Sequence, residues 1–179
     1  MPYARKDTLT WQKGMYYHIY NRGISKSPIF REEANYLFVL GKIKEYSKAN
    51  NISMIAYCLE PNHFHFLARQ NGEEPAGNLP QFVFNSYTKA YNKRYEHSGT
   101  LFEGRFRAKA IQTKSHLLHL CRYIHGNPVK DGLVADLPNG LIPIISNGSA
   151  NGMANWLTVI SSKINLGTQR NIKNSFLST

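Results

Sequence analysis

Acidic residues are scarce in this chain: 11 Asp and Glu stand against 22 Lys and Arg, for a formal net charge of +11. The basic excess is spread along the chain and suits a polyanionic partner. After Asp136 no acidic residue occurs across 43 residues. Cysteine is rare too. Cys58 and Cys121 both lie among apolar residues. They read as reduced, buried thiols of a cytoplasmic protein, not as a disulfide framework. No apolar run approaches the roughly 20 residues of a membrane span. No signal peptide is evident. No Walker-type Gly-x-x-x-x-Gly-Lys-Ser/Thr run is present. No internal repeat or domain-sized linker interrupts the 179 residues, a length that suits one domain with its own core.

What is present is an alternation of local periods. Gly14 to Asn21 alternates apolar and polar side chains and predicts a strand. Arg31 to Asn50 carries Tyr36, Leu37, Val39, Leu40 and Ile43 at helical spacing. Ser53 to Leu59 and His63 to Arg69 predict two strands joined antiparallel through a Pro61-Asn62 turn. A loop over Asn71 to Pro80 precedes a helix reaching about His97; a strand over Arg107 to Gln112 and a last helix from about Ser115 follow. The order βαββαβα predicts an α+β, ferredoxin-like split βαβ fold, with a central antiparallel sheet and helices on one face.

The residues best suited to chemistry cluster in three places. His63 and His65 stand at i and i+2 of a predicted strand, so both imidazoles project to one face and can reach one cation. Phe64 and Phe66 then point into the opposite layer. Tyr123 and Asn127 are four apart on the last helix and share a face of it, before Pro128 is expected to end that helix at about Asn127. A phenol can act as a nucleophile, and an amide oxygen is a hard metal ligand. Phosphate-binding candidates are Arg22, Lys89, Lys93, Arg94, Arg105, Arg107, Lys109 and Lys130. Tyr87, Tyr91 and Tyr95 form an i, i+4 stripe beside Lys89, Lys93 and Arg94, which reads as core before it reads as a base-stacking platform. Gly99 and Gly104 suit either a turn or a close backbone approach to a ligand.

Three segments carry a family resemblance: Asn62-His-Phe-His-Phe-Leu67, Ser98-Gly-Thr-Leu-Phe-Glu-Gly-Arg-Phe-Arg107 and Tyr123-Ile-His-Gly-Asn-Pro-Val129. In this order they resemble the single-tyrosine HUH transposases of the insertion-sequence class, in its REP-associated, IS200-like branch. The likeness runs from about Met15 to Pro138. It implies that His63, His65 and Asn127 hold a divalent cation, Mg²⁺ or Mn²⁺, and that Tyr123 attacks DNA to leave a 5′-phosphotyrosine. By ligand softness the same set would accept Zn²⁺ or Ni²⁺. A phenol ordinarily titrates at about 10, so metal, lysine or water must help remove its proton, and the choice among them stays open. The implied partner is single-stranded DNA carrying palindromic hairpin repeats; monomer and homodimer both stay open.

Two rival readings have distinct signatures. A non-catalytic single-stranded nucleic-acid-binding domain of ferredoxin-like fold would bind without cutting. A metal-dependent hydrolase using water would cut without a covalent adduct. The catalytic domain is expected over residues 1–138, followed by an atypical, loosely ordered tail over 139–179. A nucleotide string encoding Gly140 to Ala150 also reads, one base over, as Trp-Pro-Tyr-Ser-Asn-Tyr-Leu-Glu-Trp-Ile-Gly. That alternative resembles the family's usual continuation after Leu137-Pro-Asn139 and makes the tail compatible with a frameshift.

Overall fold

The computed structural model describes residues 9–130. Strand β1 (Tyr16–Arg22) leads through a short 3-10 turn (Ile24–Lys26) into helix α1 (Glu33–Ala49). Strands β2 (Ile52–Glu60) and β3 (His63–Gln70) follow, then helix α2 (Asn78–Arg94), strand β4 (Arg107–Ile111) and helix α3 (Lys114–Lys130). The predicted order βαββαβα is the order formed. The four strands pair antiparallel in the order β2-β3-β1-β4, so β3 lies between β1 and β2 as a split βαβ requires. Among the described residues no helix is long and apolar enough to cross a membrane.

Local chemistry explains the boundaries. Asn35 anchors the start of α1: its side-chain oxygen accepts from the backbone N–H groups of Arg31 and Glu32 at 2.8 and 3.4 Å. Thr113 caps α3 by accepting from the His116 N–H at 3.2 Å. Helix α2 begins at Asn78, ahead of the predicted Gln81, because Pro80 is tolerated in a first turn whose N–H groups lack partners anyway. Helix α3 runs through Pro128 to Lys130 instead of stopping at about Asn127. A proline within a helix removes one ladder bond, that of its own missing N–H, and the bias it places on its predecessor is no prohibition.

The sheet separates two cores. On its first face Tyr17, Ile19, Phe64, Phe66 and Ala68 meet Tyr36, Val39 and Ile43 of α1 and Val83, Phe84 and Tyr87 of α2. Helices α1 and α2 thus share one face, as expected. Helix α3 does not join them: Leu120 and Ile124 pack on Ala56, Cys58, Leu67 and Ile111 on the opposite face. The physical reason is a register shift between Met54 and Ala56 in β2. Met54 and Tyr57 both face the first core, so Ala56 and Cys58 turn to the second and give α3 an apolar seat.

Candidate catalytic site

Residues on the second face line up across the strands. Cys58 pairs with His65, His65 with Tyr20, and Tyr20 with Arg107; beside this row Glu60 pairs with His63 and His63 with Arg22. Directly paired side chains share a face, so the histidine pair sits in the middle of a polar row. His63 and His65 come together as expected, ring centroids 5.1 Å apart and edge to face. Phe64 and Phe66, 1% and 0% exposed, fill the opposite layer.

Each imidazole has a partner. His65 Nδ1 and His18 Nε2 are 3.0 Å apart, and burial, then the nearby Lys109 and His116 charges, pushes the His18 pKa down to about 4. His18 is therefore a neutral hydrogen-bond partner at neutral pH. Its bond to Nδ1 means that His65 would ligate a metal through Nε2. His63 Nδ1 lies 2.7 Å from the Asn62 side-chain oxygen, and its Nε2 lies 3.1 Å from a carboxylate oxygen of Glu60. Glu60 is itself buried, and its other oxygen accepts from the Cys58 thiol at 3.5 Å.

Tyr123 projects from α3 toward this pair: its ring is 6.0 Å from that of His65, edge to face, and it is 41% exposed. A nucleophile needs that combination of nearness to the histidines and access for a strand. Asn127 is on the same helix, but its side chain lies outside what is described, as does that of Lys130. Among the described residues no three His, Cys, Asp or Glu side chains form a ready metal cage. The donor chemistry fits a divalent cation once His63 frees one ring nitrogen from Asn62 or Glu60: two imidazoles share a face with a buried carboxylate, and the helix above them carries an amide residue.

A cleft of about 420 Å³ opens over the histidines, lined by Tyr20, Arg22, Asn62, Glu103, Arg105 and Arg107. Its arginines differ. Arg22 is held by Glu103, through a short Nε bond and a second from Nη2 at 3.1 Å, so it is a paired charge. That pairing holds the Glu103 carboxyl below the usual carboxylate range. The side chains of Arg105 and Arg107 are exposed and form no hydrogen bond or ion pair with a described residue, though the Arg107 charge also helps lower the Glu103 carboxyl. Lys109 stands exposed on β4, paired in register with His18. Gly99 and Gly104 have φ of +94° and +104°, so the turn explains them.

The α2 candidates divide further. Arg94 bonds Glu32 at 2.6 Å and belongs to the junction of α1 and α2, away from the cleft. Tyr87 and Tyr91 are core, 0% and 1% exposed. Lys89 lines a second cavity, and Lys93 is exposed on the last turn. Sequence reading passed over His18, Tyr20 and Glu60. The alternation Tyr16, His18, Tyr20 could have marked the first two, and a two-residue Pro61-Asn62 turn sets Glu60 opposite His63.

The model of the family described as "Transposase IS200 like" matches residues 11–127. A solved REP-associated tyrosine transposase bound to a REP hairpin is similar in fold, with a TM-score of 0.63 and 20% identity, over 82% of this chain and 93% of that one. A transposase candidate from Deinococcus radiodurans aligns with a TM-score of 0.46 and 11% identity, over 66% of this chain and 95% of that one. No curated protein matches the chain.

Proposed function

Since the chain belongs to the IS200-like transposase family, we propose that it cuts and rejoins single-stranded, hairpin-bearing DNA through a covalent bond to Tyr123. The observation that carries this reading is the approach of the exposed Tyr123 ring to within 6.0 Å of the His65 ring. The likeness in fold to a transposase bound to a hairpin supports the choice of substrate.

A strand laid in the cleft would meet Arg105 and Arg107, whose guanidinium groups can fork onto backbone phosphates. The Tyr123 oxygen attacks phosphorus, the phosphorus–O3′ bond breaks, and the 3′-oxygen leaves as a hydroxyl. The phenol proton is lost, one proton is gained at O3′, and the diester energy is kept as a 5′-phosphotyrosine. Rejoining is the reverse attack by a 3′-hydroxyl, so no nucleotide is consumed. His63, His65 and Asn127 would hold a divalent cation, Mg²⁺ or Mn²⁺, which when bound supplies Lewis-acid polarisation of the scissile phosphate. His18 keeps the His65 ring in orientation through the 3.0 Å hydrogen bond.

The test is incubation of the full chain with a single-stranded DNA hairpin and Mn²⁺, followed by denaturing electrophoresis. A protein–DNA adduct that survives denaturant is expected. Cut DNA without an adduct would assign the chemistry to water, and binding without either product would leave a non-catalytic DNA-binding domain.

A further inference from the structure

Beside the catalytic cleft lies a larger cavity of about 620 Å³, between α2 and the loop before β4. Its size is in the range of small-molecule pockets, roughly 300–1,000 Å³. The floor is aromatic: Phe64, Phe84 and Phe102 meet with ring centroids 4.1 to 6.0 Å apart and are nearly buried, and the half-buried Phe106 supplies its accessible ring. The α2 wall carries Gln81, Asn85 and Lys89 at four-residue spacing, one polar stripe along the helix. All three are exposed, and none makes a side-chain hydrogen bond with a described residue. Two amides and a cation thus edge an aromatic floor with their donors and acceptors unspent.

The cavity also joins the site already described. Asn21 and Arg105 line both spaces. Asn21 is the fixed partition between them, its side-chain N–H bonded to the Gly104 carbonyl at 3.0 Å. The two spaces lie on opposite faces of the sheet and meet at its edge, so a strand whose phosphate lies in the cleft would round Asn21 to enter the cavity.

We propose that this cavity takes an unpaired purine next to the scissile phosphate, and that Gln81 and Asn85 read its edge. The inference rests on the reading of the cleft as a site for single-stranded DNA. Purines have the larger face for an aromatic floor, and an amide can pair with adenine through one donor and one acceptor at once. Lys89 and Arg105 meet the flanking phosphates, which suits the charge of the wall.

Selection from a pool of DNA hairpins with randomised flanking single strands tests the assignment. The chain should enrich a purine at one flanking position by about tenfold or more. A Gln81→Ala, Asn85→Ala double variant should lose that enrichment at that position alone and keep total affinity within about threefold. Absence of a flanking purine preference overturns the proposal, and so does a double variant that keeps it or loses affinity equally at every position. Adduct formation on the selected hairpins separates the two readings. An adduct without flanking preference refutes the purine pocket alone, whereas a preference without an adduct refutes the cutting activity alone.

Discussion

His18, Glu60 and Asn62 decide what the histidine pair can do, because each binds one of its ring nitrogens. Under the proposed mechanism, replacing Tyr123 separates chemistry from binding. Tyr123→Phe keeps the ring against His65 and removes the oxygen proposed to attack. The adduct is expected to vanish while DNA affinity stays within about twofold; an adduct that persists assigns the attack to another residue. Glu32 gives a second, purely structural test. Burial raises its pKa, but hydrogen bonds from Arg94 and Tyr95 outweigh that and hold it below its ordinary 4.5. With the folded pKa depressed, the tie stabilises fully above pH 4.5 and is lost as pH falls through the folded value. The stability advantage over Glu32→Gln in urea titrations should therefore shrink below that pH, and an advantage that grows on acidification would contradict the tie.

Strand β3 does two jobs by alternation, since one set of side chains holds the sheet to α1 and α2 and the other faces the candidate site. Phe66 belongs wholly to the first set: it is 0% exposed, 4.7 Å from the Phe64 ring and 5.8 Å from that of Phe84. Phe66→Ala should destabilise the fold by about 3–5 kcal/mol through lost burial and a cavity. That is a large part of a domain stability of roughly 5–15 kcal/mol. Denaturant unfolding measures it, and a loss below about 1 kcal/mol would mean that the layer collapses around the gap. The register shift in β2 matters as much. It brings Cys58 and Glu60 onto the histidine face, and so positions both the seat of α3 and the carboxylate beside His63.

Across the whole molecule the excess of Lys and Arg becomes a prediction about salt. Affinity for a single-stranded hairpin should fall steeply with salt, with a log–log slope of about −0.7 for each phosphate neutralised. Replacing Arg105, Arg107 and Lys109 together by Ala should flatten that slope by about 2, as followed by fluorescence anisotropy against NaCl. An unchanged slope would move the phosphate contacts elsewhere. The expected tail over 139–179 lies outside the described residues. If it is a frameshift product, a single-base insertion or deletion near codon 140 should restore the alternative frame in the gene; a gene in which none does so disproves it.

Much of the fold was legible in the sequence, because strand alternation, helical spacing and a two-residue turn are local properties. Local spacing was also enough to place His63 and His65 on one face and to set Tyr123 and Asn127 one turn apart. The rest depends on which distant segments meet. Arg22 and Arg94 looked like open cations until packing brought Glu103 and Glu32 against them, 81 and 62 residues away in the chain. His18 joins His65 because β1 pairs with β3 across 47 residues. Helix α3 leaves its sisters for the opposite face because a register shift in β2 offers its apolar side a seat there. Periodicity along one segment shows which side chains share a face. Only the pairing of strands and the docking of helices decides what that face meets, since those contacts join residues that no local pattern connects.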